Sequence, residues 1–528
     1  MRQKKEENLL KIFLIAILIV QVILIGISNL TLIDNNIDCD NAKMFVHIME
    51  MWKQRTIAIP GWSYMTTLEL DCSSVLALPI YALTGNIYLA FGIANIMFLI
   101  AFIAVLWYLF SDKNVLYPVL SANLLCIPYA TGMLDYYNMM FFAGAQYILK
   151  VLLPILLIAV LVRTSMEKTW RKRDWIASGA FLVLFFITSM SSGVYVLFIG
   201  IVPIAAVYVL YKILNSEKFY AKQIVLLGVT IVLGIVGIYF NKYIMGGARG
   251  TNEMFIVWVH QVLANVSTCL TGIFELFGAA SYVSDLPVLS YQGISIVAKA
   301  CMVILFFVCG AVALCKIIKK KADLRLTLLL SVFLWNLFVL LITNTRAGSA
   351  TYEYRYHLIG MVPLMIITSS VLLDAFGQLD AVQKKFLGLT GVGVIVIMSA
   401  LSFPAIFDGE DTCSDLKELC EYCDDYELDY VYLYDGSNDA DMCRLIQQDG
   451  DPLYLCITPG GTTWAYDYYE EYTNAEINAQ KAIVVIKSEG EVMPDTLDMY
   501  GFQIKKFATV AERDLYYFEA EGMPVEIK

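Results

Sequence analysis

Two short stretches of this chain hold side chains suited to proton transfer and to anion binding. The first, IDNNIDCDNAKMFVHIMEMWKQRTIAIP, places Asp34, Asp38 and Asp40 directly after a long apolar run. A carboxylate held at such a boundary can act as a general base toward a hydroxyl or as a ligand of a divalent cation, here Asp38 and Asp40. The plainer reading is a helix cap followed by a solvated acidic turn, because short carboxylates accept bonds from free N–H groups at a helix start. The second stretch, TNTRAGSATYEYRYHLIGMVP, sets Arg346, Arg355 and Tyr356 before another apolar run. A guanidinium presents a fork of donors to phosphate oxygens and keeps its charge. The plainer reading there is an interfacial aromatic belt with a positive anchor.

Five further charged side chains lie in or beside the apolar runs. Lys150 falls inside an apolar run with Gln146 one turn earlier. An ionisable group in a membrane span is a functional candidate, and Lys150 suits either an anionic substrate or a structural ion pair. Glu69 and Asp71 are candidate supporting carboxylates or parts of a solvated turn, while Lys242 and Lys299 read as snorkelling lysines near span ends. His47, His260 and His357 are the only histidines. A His-based metal site is therefore not expected, and His47 reads as a helix-face residue.

The elements that must position these groups follow from composition. Apolar residues make up 59% of the 528 and charged residues only 16%, against about 25% charged in a soluble domain. That excludes a soluble enzyme and a disordered chain, and apolar runs of about 20 residues exclude an outer-membrane barrel. Eleven candidate spans lie at roughly 9–32, 87–110, 115–132, 139–162, 176–191, 194–213, 223–244, 294–318, 324–343, 358–374 and 385–403. The stretch 176–213 is divided at Ser189, Ser191, Ser192 and Gly193, which suit a tight turn. Within the loop 33–86, Met44, His47, Ile48, Met51 and Trp52 recur at helical spacing, with Lys43, Glu50, Lys53 and Arg55 opposite. That pattern predicts an amphipathic helix on the membrane surface.

Charge divides the chain in two. Residues 404–528 hold 28 acidic and 8 basic side chains, whereas residues 1–403 hold 20 acidic and 29 basic. A membrane domain (1–403) followed by an acidic, water-exposed domain (404–528) is expected, and nucleic acid is excluded as a partner of the latter. Arg163, Lys168, Arg171, Lys172 and Arg173 form one basic cluster, and Lys316, Lys319, Lys320, Lys321 and Arg325 another. The positive-inside rule places these in the cytoplasm. With eleven spans, the N-terminus is then cytoplasmic and the C-terminal domain external, in a multi-pass protein of the cell membrane. The first span reads as an uncleaved anchor rather than a signal peptide.

Asp40-Asn41-Ala42, then Glu50-Met51, then Ile59-Pro60, resembles the first-loop pattern of the GT-C superfamily of integral-membrane glycosyltransferases. The likeness is to protein O-mannosyltransferases and aminoarabinose transferases. Tyr354-Arg355-Tyr356, with Pro363 inside the next helix, is similar to the Arg-Tyr motif of that superfamily. The resemblance implies an all-α polytopic membrane domain of about 11 transmembrane helices with a small external α/β domain. It also implies that Asp40 contacts acceptor and catalytic machinery, and that the Arg355 region lies near the lipid phosphate of the donor. The chain departs from the pattern at Asn41, where a second acid stands in the family. Asp38 can take that place as Asp-x-Asp, which leaves open which carboxylate acts and whether Mg or Mn is bound.

The expected activity is sugar transfer from a polyprenyl-phosphate donor to a glycan, lipid or protein acceptor on the external face, with membrane lipids as the surroundings. The alternatives are a transporter or flippase of lipid-linked or envelope glycans, and an assembly protein that keeps the fold without catalysis. No inverted repeat supports the transporter.

In the C-terminal part, helices are expected at 412–425 and 438–449 and strands at 431–435, 452–457, 482–488, 502–508 and 515–520. Tyr and Trp in 462–472 could stack on sugar rings. The segment 246–293 is expected to hold a half-inserted helix and a Gly-rich turn with Arg249. Asn265-Val266-Ser267 is a glycosylation sequon, meaningful only in a eukaryotic source. Cys39 and Cys72 share the first loop and suit either a disulfide or two free thiols.

Overall fold

The structure, a computed structural model, describes residues 2–519 apart from 63, 65, 66, 131–134, 167–169, 245–254, 281–285, 345–353, 408–410, 449–451, 459, 464–473, 480 and 489–492. The long apolar runs form helices because a bilayer leaves backbone groups no water to bond, so each span must satisfy its own. Helix α1 (Arg2–Thr31) leads through the turn Ile33–Asn35 to α2 (Cys39–Gln54). Next come α3 (Ser74–Thr84) and α4 (Ile87–Leu109), joined where Gly85 takes a left-handed φ of 67° and Asn86 caps α4 through the Leu89 amide. Then follow α5 (Leu116–Leu125), α6 (Tyr136–Phe141), α7 (Ile148–Met166) and α8 (Lys172–Ser192). Gly193, at a φ of 65°, ends α8 where the small polar residues predicted a break.

A π-helical turn at Leu197–Ile201 opens α9 (Val202–Leu214), followed by α10 (Ala221–Ile244). A two-residue strand, β1 (Phe255–Ile256), precedes α11 (Val259–Leu276), the helix expected in 246–293. Helices α12 (Tyr291–Ile318) and α13 (Leu324–Ile342) lead to β2 (Thr343–Asn344), which pairs antiparallel with β1. The 3-10 turn Tyr354–His357 then starts α14 (Leu358–Gly377), and α15 (Ala381–Ser402) closes the bundle.

Among the described residues, 10 helices are long and apolar enough to cross a membrane. The protein is thus a multi-pass membrane protein. The remaining expected span, 115–132, is not one continuous helix. It consists of the short α5 and an irregular stretch, with every residue from 121 to 130 buried. Irregular backbone at membrane depth is tolerated where protein surrounds it. Here the Asn123 amide donates to the carbonyls of Leu14 at 3.0 Å and Val119 at 2.8 Å. Ser121 meets Ser369 of α14 at 2.5 Å, and Tyr117 donates to Asp374 at 2.9 Å. Tyr117 thus lies at the Asp374 end of α14, whereas Gly144 lies at Asn41, in the region of Arg355.

Past α15 and the short α16 (Pro404–Phe407), the chain forms α17 (Ser414–Asp424), β3 (Tyr430–Tyr434), α18 (Ser437–Gln447), β4 (Leu453–Ile457), β5 (Ala482–Lys487), β6 (Thr496–Met499), β7 (Phe502–Val510) and β8 (Arg513–Phe518). The strands make one sheet in the order β4-β3-β5-β8-β7-β6, parallel among β4, β3 and β5 and antiparallel beyond. All five expected strands are present. The added one, β6, is a four-residue edge strand whose alternation is mild.

This sheet domain is seated on the bundle. The Thr412 amide donates to the Asn35 carbonyl at 3.0 Å, Lys417 Nζ to Asn35 Oδ1 at 3.0 Å, and α18 packs on α2.

Candidate active site at the first loop

Asp38 caps α2. Its Oδ1 accepts from the Asn41 backbone N–H at 2.7 Å and from Asn41 Nδ2 at 2.8 Å. Burial raises its carboxyl to a pKa of about 6, against the pull of those bonds and of Arg355. The cap duty thus falls on Asp38, which leaves the Asp40 carboxylate outside the cap and exposed on the first turn of α2. Asn41, which stands where the resembled family has an acid, is buried and fully used. Its Oδ1 accepts from the Gly144 N–H at 3.0 Å, so one amide ties the cap to the turn between α6 and α7. A carboxylate at position 41 could not donate to Asp38, and an amide can.

Arg355, on the turn that starts α14, places Nη1 3.6 Å from Asp40 Oδ2. Its guanidinium also lies 5.9 Å from the centroid of the Tyr356 ring. Tyr356 meets Tyr195 edge-on at 6.3 Å, and Tyr195 meets Tyr147 at 6.4 Å. Lys150 Nζ sits 4.7 Å from the Tyr147 centroid. Two cations, each with a carboxylate partner, therefore bracket a row of three tyrosines whose rings offer an apolar surface. The sequence reading did not single out Tyr147 or Tyr195. The usable signal was Tyr147 three residues before Lys150 on one helical face.

Lys150 is itself occupied. Its Nζ stands 2.8 Å from Asp71 Oδ2 and donates to the Gln146 carbonyl at 3.0 Å. Asp71 is 1% exposed and accepts from Ser191 Oγ at 2.8 Å. Ser191 Oγ in turn accepts from the Leu70 N–H at 2.9 Å. Glu69, in the left-handed region at φ 57°, places Oε2 3.2 Å from Nδ1 of the fully buried His47. That imidazole stacks on Trp62 at 4.8 Å. Glu69 and Asp71 thus point inward to α2 and α7 rather than forming a solvated turn. Arg346, Arg249 and the aromatic residues 464–472 lie outside the described residues.

Three expectations need correction. The apolar face of α2 does not rest on the bilayer: Phe45 stacks on Phe91 of α4 at 3.8 Å, and Met44, Ile48 and Met51 are buried in the same core. Lys43, assigned to the solvent side, is buried as well. Lys299 does not snorkel, because its Nζ is buried and donates to the Ala130 carbonyl at 3.1 Å. It also lies within electrostatic reach of Asp135, a buried carboxylate that caps α6. Cys39 and Cys72 are free thiols, and Cys72 Sγ sits 2.6 Å from Ser74 Oγ. Asn265 of the sequon is fully buried, its amide donating to Leu341 O at 3.0 Å and Asn344 Oδ1 at 3.1 Å, so no glycan can be attached there.

Asp38 and Asp40 are the carboxylates that a divalent cation at this loop would use. Among the described residues, no group of three or more His, Cys, Asp and Glu converges as metal ligands do. Asp38 Oδ1 is taken by Asn41 and the Asp40 carboxylate by Arg355. This set does not fit a resident metal.

No family model matches the chain, and no curated protein matches it in sequence. Solved structures do match in fold. ArnT from Cupriavidus metallidurans bound to undecaprenyl phosphate superimposes with a TM-score of 0.58 at 9% identity, over 96% of this chain and 98% of that one. Its apo state gives 0.55 at 10% identity, over 95% and 97%. An archaeal oligosaccharyltransferase, AglB from Archaeoglobus fulgidus in complex with an inhibitory peptide and a dolichol-phosphate, gives 0.52 at 11% identity, over 83% of this chain and 64% of that one. The Archaeoglobus fulgidus enzyme in complex with Zn and sulfate gives 0.53 at 11% identity, over 90% and 68%. Over nearly its whole length the chain therefore shares the fold of ArnT, and over most of it that of the archaeal oligosaccharyltransferase.

Proposed function

We propose that this protein is a membrane glycosyltransferase that moves a sugar from a polyprenyl-phosphate donor to an acceptor hydroxyl on the external face. The observation that carries the reading is the Arg355–Asp40 pair at 3.6 Å, formed by the two motifs that chemistry singled out. Without substrate the two charges neutralise each other. A lipid phosphate gives Arg355 a second anion and frees Asp40 to act as base. The Asp40 carboxylate takes the acceptor's hydroxyl proton and the acceptor oxygen bonds to the anomeric carbon. The bond from that carbon to the phosphate oxygen breaks, and its electron pair leaves with the lipid phosphate. Arg355 stabilises the charge that develops there, where a fixed donor contributes most. Asp38 assists through α2, and the tyrosine row suits the isoprenoid chain. The solved structures with undecaprenyl phosphate and dolichol-phosphate support a donor of this kind. A glycan, lipid or protein remains the acceptor class.

The orientation belongs to the same proposal. The basic clusters favour a cytoplasmic N-terminus, and the ten long helices among the described residues plus the broken pass through α5 make an odd count. The C-terminal sheet domain and Asp40 are then external.

The test uses the full chain in liposomes with labelled polyprenyl-phosphate sugars and candidate acceptors. Transfer that disappears in Asp40→Asn supports the reading. Movement of labelled lipid across the bilayer without transfer overturns it in favour of a flippase.

A further inference from the structure

Helix α11 has three faces. Asn265, Cys269, Gly272 and Leu276 are buried against the protein. His260, Ala264, Ser267 and Thr271 form an exposed polar or small face. Val259, Leu263, Val266 and Leu270 form an exposed apolar face, with Val259 87% and Leu263 78% exposed. At 3.6 residues per turn these faces lie about 100–140° apart. Trp258, 75% exposed, and Ile256 extend the apolar face at the helix start. The helix is not among the ten that can cross a membrane. It packs on α13 and touches α12, and both of those spans carry exposed apolar side chains, Leu334 and Phe338 on α13 and Ile294 and Val297 on α12.

We infer that α11 lies in the headgroup boundary of the bilayer leaflet on the Asp40 side, with lipid covering Val259, Leu263, Val266 and Leu270, and that this seating holds the Arg355 turn in place. Lipid is the occupant because α11 packs on membrane spans whose own exposed side chains are apolar, and because a tryptophan leads the face where interfacial aromatics collect. The link to Arg355 is direct packing. A Cβ added to Gly272 would stand 3.3 Å from Tyr354 Cβ and 3.5 Å from His357 Nε2. No side chain separates α11 from the turn Tyr354–His357. A shift of α11 therefore moves the backbone that carries Arg355. The face–lipid contact is independent of any glycosyltransferase activity.

The test is nitroxide labelling of Leu263→Cys and Thr271→Cys in full-length protein with Cys301 and Cys315 replaced by Ala, in phosphatidylcholine nanodiscs. The Leu263 label should relax with dissolved oxygen and be shielded several-fold from an aqueous nickel chelate. The Thr271 label should do the reverse. Equal nickel access at both positions overturns the lipid contact. Spin–spin broadening at Leu263 overturns it in favour of a second copy of the chain. For the coupling, amide hydrogen exchange at Tyr354–Tyr356 should accelerate several-fold in Leu263→Glu relative to wild type, with exchange in α4 unchanged. Unchanged exchange at Tyr354–Tyr356 overturns the coupling, as does a global rise.

Discussion

Arg355 Nη1 and Asp40 Oδ2 face each other at 3.6 Å across a rim built from opposite ends of the membrane domain. The Asp40 carboxylate is the more exposed partner, at 57% against 18% for Arg355. Solvent screening makes such a pair a small contributor to stability. What it offers is an exchangeable contact: either charge can be taken up by substrate without unfolding anything.

Asp40→Asn should accordingly separate activity from stability. Asp38, not Asp40, caps α2, so the substitution leaves the helix start intact. General-base loss typically costs about 10²–10⁴-fold in rate. Turnover in the liposome assay should fall by that order while the thermal unfolding midpoint stays within about a degree or two, the scale of a surface substitution. Wild-type turnover would remove Asp40 from the chemistry.

Arg355→Lys keeps the charge and removes the planar fork. Bidentate phosphate recognition is not replaced by an ammonium. Retention of undecaprenyl phosphate should weaken markedly, measured by binding to the purified protein, with Arg355→Gln weaker still. Equal retention in all three forms would place the phosphate elsewhere.

Asp38 gives a pH signature. Its folded carboxyl sits at about 6, raised by burial above the ordinary value near 4. A raised carboxylate contributes stability that is complete below its unfolded pKa and is lost as pH rises through the folded one. The difference in unfolding midpoint between wild type and Asp38→Asn should therefore drift against wild type from about pH 4 to pH 6 and then level off. A difference that stays flat over that window contradicts the burial-raised carboxyl.

The buried Lys150–Asp71 pair should behave oppositely to the exposed one. Removing one partner of a buried pair typically costs about 3–5 kcal/mol, because the other charge is stranded. Lys150→Met and Asp71→Leu should each lower the unfolding midpoint strongly, and the double substitution should recover part of the loss. Additive losses would mean the two charges do not depend on each other.

Gly144→Ala tests the turn beneath the cap. The added Cβ would stand 2.5 Å from Asn41 Oδ1 and 2.9 Å from Met44 Sδ. The Asn41 side chain cannot swing away without giving up its two hydrogen bonds, to Asp38 and Gly144, so overpacking of about 1–3 kcal/mol is expected in thermal unfolding. A stability equal to wild type would show that α2 shifts without penalty.

Much of this architecture was readable in advance, for identifiable reasons. Lengths near 20 apolar residues, the Ser-Ser-Gly break before Tyr195, and the strands around VYLYD and AIVVIK all rest on local rules, and local rules suffice for elements. Apolar periodicity also marked the inner face of α2, yet it could not say what covers that face. Phe91 and α18 do so in place of the bilayer, and both are distant in sequence. Lys299 misled for the same reason, since a lysine eight residues into a helix can turn outward or toward the bundle. Tyr195 joins the site only because α8 ends at Gly193, and the role of Asn41 becomes visible only once Gly144 is beside it.

The broken pass through α5 has a consequence for how the protein is made. Ten helical residues are too few to span about 30 Å of hydrocarbon, so α5 has little tendency to partition as a free segment. Its partners are Leu14, already synthesised, and Ser369 and Asp374, which leave the ribosome some 250 residues later. Until then α5 has α1 and α4 to pack on, but the hydroxyls of Tyr117 and Ser121 lack the partners they meet on α14. The α5–α14 contact is therefore a late step of biogenesis and a natural point of attack for membrane quality control.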